Sequence, residues 1–372
     1  MANLEVKTHM SALQLAIVVF VTCAGAQIML SLRSLIAEAG QEAWISVLFG
    51  GVIFYVAVYL MLKLGKNYPD ETIVEYAPRI FGRVGGSIVI FWFNLLFFLQ
   101  IIAIFYGVGK VITFYMFDRT PPEVVILALL VVCTYCALQD FGTILRLQQI
   151  MFFVAYSMLM VIWMTSILNL QPENLLPLWP IHIKEVVTGG FSTWSLYGGY
   201  ECVLLLLPLV YRQVSFANLA KVVGGAFGCL TLVFVLFIVI IIGVLTVDNA
   251  KSVPYPVLLV IRSVELPGTF IERLENYLLL AWIPVVFDTL AAQMFFMGQV
   301  CMRQWHYLDH RPWVLLLVPM IYVGSIMIDN QQVYDAVSNF TMWAGLIFSF
   351  VVVPLSLILS WRQKREAGTG CG

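Results

Sequence analysis

The sequence predicts an all-α integral membrane protein, a single transmembrane domain over 1–372 in which ten spanning helices form two halves of five, the second inverted relative to the first. Three observations carry that prediction. Hydrophobic residues make up 61% of the chain and charged residues 11%, with a mean hydropathy of +0.94, whereas soluble domains carry roughly a quarter charged residues. Ten apolar stretches each approach the ~20 residues that a hydrocarbon core demands, where every backbone N–H and C=O must be bonded within the helix. Two of those stretches, the first of each half, are interrupted near their middles by small and polar residues.

The spans fall at 11–35, 43–64, 84–110, 121–139 and 145–168 in the first half, and at 187–210, 217–246, 271–301, 312–328 and 335–361 in the second. The halves cover 11–169 and 187–361, joined by a link containing Pro172, Pro177 and Pro180, and 362–372 reads as a flexible tail. Lys7 and Ala24-Gly25-Ala26 have the form of a cleavable secretory signal, but the apolar run continues to Ile36, so the first span is expected to stay. With the N-terminus inside, thirteen of the 20 Lys and Arg residues lie on its side of the membrane and seven on the other. Positive residues favour the cytoplasmic face, so both termini are expected in the cytoplasm. The segment Thr246 to Phe270, with Pro254, Pro256 and Arg262, is too short to cross again and reads as an external surface helix or a re-entrant cap.

Several function classes fall away at this level. A net charge of −1 leaves no basic footprint for nucleic acid, and the spans leave no room for a soluble catalytic domain, so an enzyme is not expected. The seven cysteines are scattered, most of them inside spans, and read as no disulfide framework. Cys133-x-x-Cys136 sits midway along an apolar helix and reads as small packing residues. Gly224-Gly225-Ala226-Phe227-Gly228 lacks the lysine and the preceding strand of a phosphate loop. His9, His182, His306 and His310 look interfacial, and no metal or cofactor is expected.

What remains is the pair of interruptions. In inverted-repeat folds a ligand site lies near the midplane, where corresponding helices of the two halves unwind. Span one carries Thr22, Cys23, Ala24, Gly25, Ala26 and Gln27 halfway along; span six answers with Tyr197, Gly198, Gly199, Tyr200 and Glu201. Glycine tolerates non-helical dihedrals and lets a ligand approach the backbone. Freed N–H groups suit a carboxylate, and freed carbonyls suit an ammonium group or a cation. Close helix packing also explains such glycines, and Glu201 tips the balance toward a site. A carboxylate mid-helix costs ~2.5–3.5 kcal/mol on insertion scales and must face a polar cavity or a partner. Its open roles are binding a ligand amine, accepting a proton, latching the broken helix, or a structural hydrogen bond to unwound backbone. Asn94 and Gln100 in span three, Asp288 and Gln293 in span eight and Asn339 in span ten rank second. Amides commonly join helices to one another; Asp288 is stronger because it can be charged.

Particular stretches resemble a known family. They are Ala39-Gly40-Gln41-Glu42-Ala43-Trp44-Ile45-Ser46, Tyr68-Pro69 with Glu75-Tyr76, Asp118-Arg119-Thr120-Pro121-Pro122, and Ser263-Val264-Glu265-Leu266 leading into Ile271-Glu272-Arg273-Leu274-Glu275 and Trp282. Together they are similar to the B subunits of nutrient germinant receptors of bacterial spores (GerAB type), within the amino acid–polyamine–organocation superfamily, over about 11–365. The resemblance implies a LeuT/APC-like fold with helices 1 and 6 broken mid-membrane, the inner membrane of the spore, A- and C-type receptor subunits as partners, and a small nutrient such as an amino acid as ligand. Gly198-Gly199-Tyr200-Glu201 falls where relatives have Gly-x-Glu in the sixth helix. Span one departs from the pattern: Gln27 replaces the second glycine of Gly-x-Gly, and Leu32 precedes Arg33 where relatives have proline. A side-chain amide therefore enters the expected carboxylate cradle. Three hypotheses follow: a receptor that signals through partner subunits, a secondary amino-acid transporter coupled to H+ or Na+, and a scaffold that binds nothing.

Overall fold

Apolar runs this long can satisfy their backbone only by coiling, and the computed structural model is helical along nearly all of the residues it describes, which are 10–117, 119–176, 179–210, 214–263 and 274–369, side chains of 274–276 and 364–369 excepted. The first half comprises α1 (Ala12–Leu30), α2 (Leu32–Ala39), α3 (Ala43–Asn67), α4 (Ile73–Tyr115), α5 (Pro122–Ala137) and α6 (Phe141–Ser166). The second comprises α7 (Ile183–Ser192), α8 (Trp194–Tyr197), α9 (Val203–Val210), α10 (Phe216–Leu245), α11 (Val247–Ser252), α12 (Pro256–Arg262), α13 (Leu274–Gln304), α14 (Arg311–Ile326), α15 (Gln331–Ile347) and α16 (Val353–Thr369).

Seven helical segments are long and apolar enough to cross a membrane, and α7–α8 with α9, bent by 60° at their break, make an eighth. The protein is thus a multi-pass membrane protein. Helices α5 and α14 occupy predicted spans but run only 16 residues each, about 24 Å at 1.5 Å per residue. Both turn large apolar side chains outward, Leu127 and Val131 on one and Leu315 and Leu316 on the other.

Local chemistry sets the boundaries. Ser11 and Gln14 form a reciprocal cap at the start of α1, and Thr72 with Glu75 does the same for α4, each satisfying orphan N–H groups. Within α4, Gly82 takes φ 75°, ψ 172°, so about two and a half helical turns ahead of the bend precede the span predicted from 84. Near the end of the chain a π-helical segment, Phe348–Val352, joins α15 to α16. Helix α16 continues to Thr369, through Arg362-Gln363-Lys364-Arg365-Glu366-Ala367, most of which are good helix formers.

Helices α1 and α13 lie at the centre, with nearly every α1 side chain buried. α1 packs against α6, α10 and α13, while α4 and α5 flank α13 on its other sides. Both ends of the described chain meet one face: the Met10 N–H donates to the Leu209 carbonyl, and the Gln363 amide reaches the Arg79 carbonyl. Between α10 and α13, the expected surface helix is two short ones, and α12 is sunk into the bundle, with Val257, Leu258, Val260 and Ile261 buried. A re-entrant cap describes it better than a surface helix. The rest of that segment, including Val264-Glu265-Leu266 and Ile271-Glu272-Arg273, lies outside the described residues, as does Asp118.

On the face opposite the termini, His182 clips the start of α7 to the turn at 40–42. Its Nδ1 lies 2.6 Å and its backbone N 3.2 Å from Glu42 Oε1. The hydrogen bond and charge of Glu42 raise the His182 pKa. A raised cationic pKa stabilises below the ordinary imidazole value of ~6.5 and is lost as pH climbs through the raised value. Backbone amides of 183–192 should therefore exchange faster above that window than base catalysis alone explains, and hydrogen-exchange measurements on His182→Ala should lack the excess.

Candidate functional site

The chain breaks where span six was predicted to break. Helix α8 ends at Tyr197, Gly198 is extended (φ −49°, ψ 136°), Gly199 is left-handed (φ 107°, ψ −14°), and a 3-10 turn, Tyr200–Cys202, leads into α9. The two glycines are not equivalent. A Cβ on Gly198 would make only ordinary contacts, 3.6 Å or more from its neighbours, whereas one on Gly199 would sit 2.7 Å from Thr22 Cγ2 on α1. Gly199 is thus required by both its dihedral and its approach to α1; Gly198 is required by neither.

Glu201 turns back on this break. Its Oε2 accepts the Gly199 N–H at 2.9 Å, while Oε1 is buried without a hydrogen-bond partner. Other helices bring further polar atoms to the same junction. Thr22 of α1 and Gln293 of α13 border Gly199, and Gln100 of α4 borders Gly198. The Gln293 amide donates to Gln100 Oε1 at 3.4 Å. Thr22 Oγ1, Gln100 Nε2, Glu201 Oε1 and Gln293 Oε1 are all sealed from the surface, and none makes a hydrogen bond of good geometry, although the Gln100 amide faces the Glu201 carboxyl. Buried polar groups in proteins are normally paired, so four such atoms gathered from four elements make this junction the candidate site.

Helix α1 does not unwind at Gly25, and the expectation of a mid-membrane break there is corrected. It coils continuously to Leu30, and the hitch comes at Ser31. The physical reason is packing: a Cβ at Gly25 would lie 2.0 Å from Thr289 Oγ1, so this glycine lets α13 approach. Carbonyls of α1 are nevertheless recruited from outside. Trp282 Nε1 donates to the Gly25 carbonyl at 2.8 Å, and the Thr289 hydroxyl is shared between the Val285 carbonyl of its own helix at 3.1 Å and the Val21 carbonyl of α1 at 3.3 Å. Cys23 Sγ donates to the Tyr197 carbonyl at 3.0 Å, tying α1 to the open end of α8. Ala24 and Ala26 are buried packing residues. Tyr197 and Tyr200 anchor the two sides of the break, their hydroxyls 2.8 Å from Thr231 Oγ1 and 2.6 Å from Ser349 Oγ, the latter in the π-helical segment. Trp282→Phe would leave the Gly25 carbonyl without this donor and should cost about 1 kcal/mol, read as a lower Tm in detergent.

A polar bowl of about 490 Å³ stands over this junction on the face opposite the termini, lined among others by Ser31, Arg33, Glu38, Ser195, Asp335 and Asn339. Ser31 Oγ donates to Gln27 Oε1 at 2.7 Å, which sets half-buried Gln27 one turn below the bowl. A second cavity of about 400 Å³ lies toward the terminal face, lined by Leu205, Leu206, Phe295, Phe296 and Arg303. Along the broken helix the Glu201 junction lies between the two, after Ser195 of the bowl and before Leu205 of the second cavity.

Of the second-rank residues, Gln100 and Gln293 join the junction. Asn94 does not; its amide lies 3.5 Å from Cys301 Sγ. Asp288 is also apart, on the side of α13 that meets Cys133 of α5. Sequence reasoning missed Thr289 and Trp282 as site-builders. Their signal was present as a hydroxyl spaced four residues from Gln293 and an indole N–H that needs an acceptor in an apolar span.

Fold and site define a class: a multi-pass helical membrane protein with a helix broken mid-span beside a buried acid. The chain belongs to the spore germination protein family, the spore permeases, whose family model matches residues 9–334. It is similar to spore germination protein YndE of Bacillus subtilis (strain 168), with 28% identity covering 91% of this chain and 93% of that one. Spore germination proteins B2 and A2 of the same organism are each 24% identical, over 95% and 94% of this chain and equal shares of their own. The solved structure of a Na+-coupled sialic acid symporter, substrate-bound and outward-open, covers 92% of this chain and 79% of its own at a TM-score of 0.65 and 10% identity; that likeness is one of fold.

Proposed function

We propose that this chain is the nutrient-sensing membrane subunit of a spore germinant receptor, recognising an amino acid at the broken helix and signalling to A- and C-type partner subunits. The carrying observation is the group of buried polar atoms that make no well-formed hydrogen bond, Thr22 Oγ1, Gln293 Oε1 and the facing Gln100 Nε2 and Glu201 Oε1, around the break at Gly198-Gly199. A ligand ammonium suits Glu201 Oε1, and amide donors suit a carboxylate. The nutrient arrives through the bowl past Ser31 and Gln27. Binding separates Cys23 from the Tyr197 carbonyl and re-angles α8 against α1, and partner subunits read that change. Such a shift occurs only to the extent that the ligand binds the two arrangements unequally. In the same reading the helices form ten spans, α5 and α14 included, in a 5+5 inverted repeat, with both termini cytoplasmic and the chain in the inner spore membrane.

A second reading, a secondary amino-acid transporter driven by H+ or Na+, is favoured by the fold likeness to a symporter and by cavities on both sides of the junction. Proteoliposomes holding the chain alone separate the two. The receptor reading expects saturable binding of a labelled amino acid without accumulation; sustained accumulation driven by an ion gradient assigns a transporter instead.

A further inference from the structure

Helix α13 carries three polar side chains in six residues, Asp288, Thr289 and Gln293, and helical geometry sends them to different neighbours. At about 100° per residue, Thr289, bonded to the Val21 carbonyl, looks at α1, and Gln293, four residues on, stays near that direction and reaches the broken helix. Asp288 is turned away by about a quarter circle, toward α5. There the Cys133 thiol donates to the carbonyl of the adjacent Phe287 at 3.7 Å, and Cys133 and Cys136 are the titratable groups within its electrostatic reach. Asp288 is completely buried, and neither carboxyl oxygen has a hydrogen-bond partner.

The surroundings supply nothing to hold a negative charge. The buried or half-buried polar groups on the helices packed against α13 are uncharged: the thiols of α5, Cys23 and Thr22 on α1, Asn94 and Gln100 on α4, Gln148 on α6 and Ser325 on α14. Among the described residues no Lys, Arg or His pairs with Asp288. The same helix shows what a charged arrangement looks like in this chain: Arg303 sits 3.0 Å from Glu75. Glu201, similarly deep, has at least a backbone N–H. An unpaired carboxylate in a membrane interior is strongly disfavoured, and such residues mark proton relays and ion pathways.

We propose that Asp288 is a proton-binding site, separate from the nutrient junction, whose carboxyl group is held as the neutral acid while α13 lies against α5. The proton comes from water, is held as the acid hydroxyl, and returns to water when the two helices part and the carboxylate is hydrated. Because Gln293 is on the same rigid helix, a displacement of α13 at the broken helix also moves Asp288. The neutral acid belongs to the closed packing, so raising pH favours the parted arrangement.

Infrared spectroscopy of the full chain in lipid tests this directly, through the carbonyl stretch of a protonated carboxylic acid at mildly alkaline pH. Wild type should show the band, Asp288→Asn should lose the Asp288 component of it while accumulating normally, and Glu201→Gln should keep that component. A wild-type spectrum without the band, or a band unchanged in Asp288→Asn, overturns the proposal. Should Asp288→Asn fail to accumulate, dicyclohexylcarbodiimide, which reacts with protonated carboxyls in apolar surroundings, is applied to wild type: an adduct mapped to Asp288 supports the site, and an unmodified Asp288 refutes it. Neither readout depends on nutrient binding, so its failure leaves the receptor reading standing, and failure of that reading leaves Asp288 untouched.

Discussion

Replacing Glu201 with glutamine is expected to abolish the nutrient response, or to shift its half-maximal concentration by at least about 10-fold, while the protein still accumulates. The magnitude follows from what the side chain does. Oε2 accepts the Gly199 N–H, and an amide oxygen in its place can keep that bond, so the break persists. Oε1 is the unpaired acceptor at the junction, and losing its charge removes a charge-assisted contact worth about 1.5–3 kcal/mol, or about 10–150-fold, before any cost of presenting an NH2 group to a ligand ammonium. Nutrient dose–response curves of spores carrying the variant, alongside immunoblots of the protein, check the expectation. An unchanged curve at normal abundance sinks the role assigned to Glu201.

The second large effect belongs to the glycine beside it. Gly199→Ala forces a residue with a side chain into φ 107°, and its Cβ into Thr22 Cγ2 at 2.7 Å. Left-handed backbone alone costs an L-residue roughly 1–2 kcal/mol, and overpacking at the α1 contact adds about 1–3 kcal/mol. Gly198→Ala meets neither obstacle and should lie near wild type. Thermal unfolding of the two variants in detergent, measured side by side, should show a drop of several degrees for Gly199→Ala only. Relief of that drop by adding Thr22→Ala or Thr22→Ser, which remove the methyl in contact, would locate the strain at the α1 junction; equal losses at both glycines would contradict the account.

The contrast between those glycines shows how far sequence reaches. Apolar run lengths located the seven long helices and the bent pair, and a Gly-Gly pair next to an acid located a true break, because no apolar helix gains from burying a carboxylate beside two poor helix formers. Gly25 looked the same in one dimension, small and flanked by polar residues. Its role is decided by what stands opposite, and Thr289 and Trp282 are more than 250 residues away in the chain. Asp288 and Gln293 differ in the same sense: five residues apart, they face different neighbours, which composition cannot reveal but helical phase with one known contact can. The embedding of α12 and the π-helical turn that brings Ser349 to Tyr200 depend on tertiary packing and leave no local mark.

The central claim is that the broken-helix junction binds an amino acid, and thermal stability of the purified full chain against a panel of the proteinogenic amino acids tests it most directly. A ligand bound to the folded state at 100 times its Kd stabilises by about 2.7 kcal/mol. At least one amino acid is therefore expected to raise the Tm of wild type by several degrees, with the increase lost in Glu201→Gln and kept in Asp335→Asn at the rim of the bowl. A panel in which no amino acid moves wild type, or one whose effect survives intact in Glu201→Gln, would contradict the account.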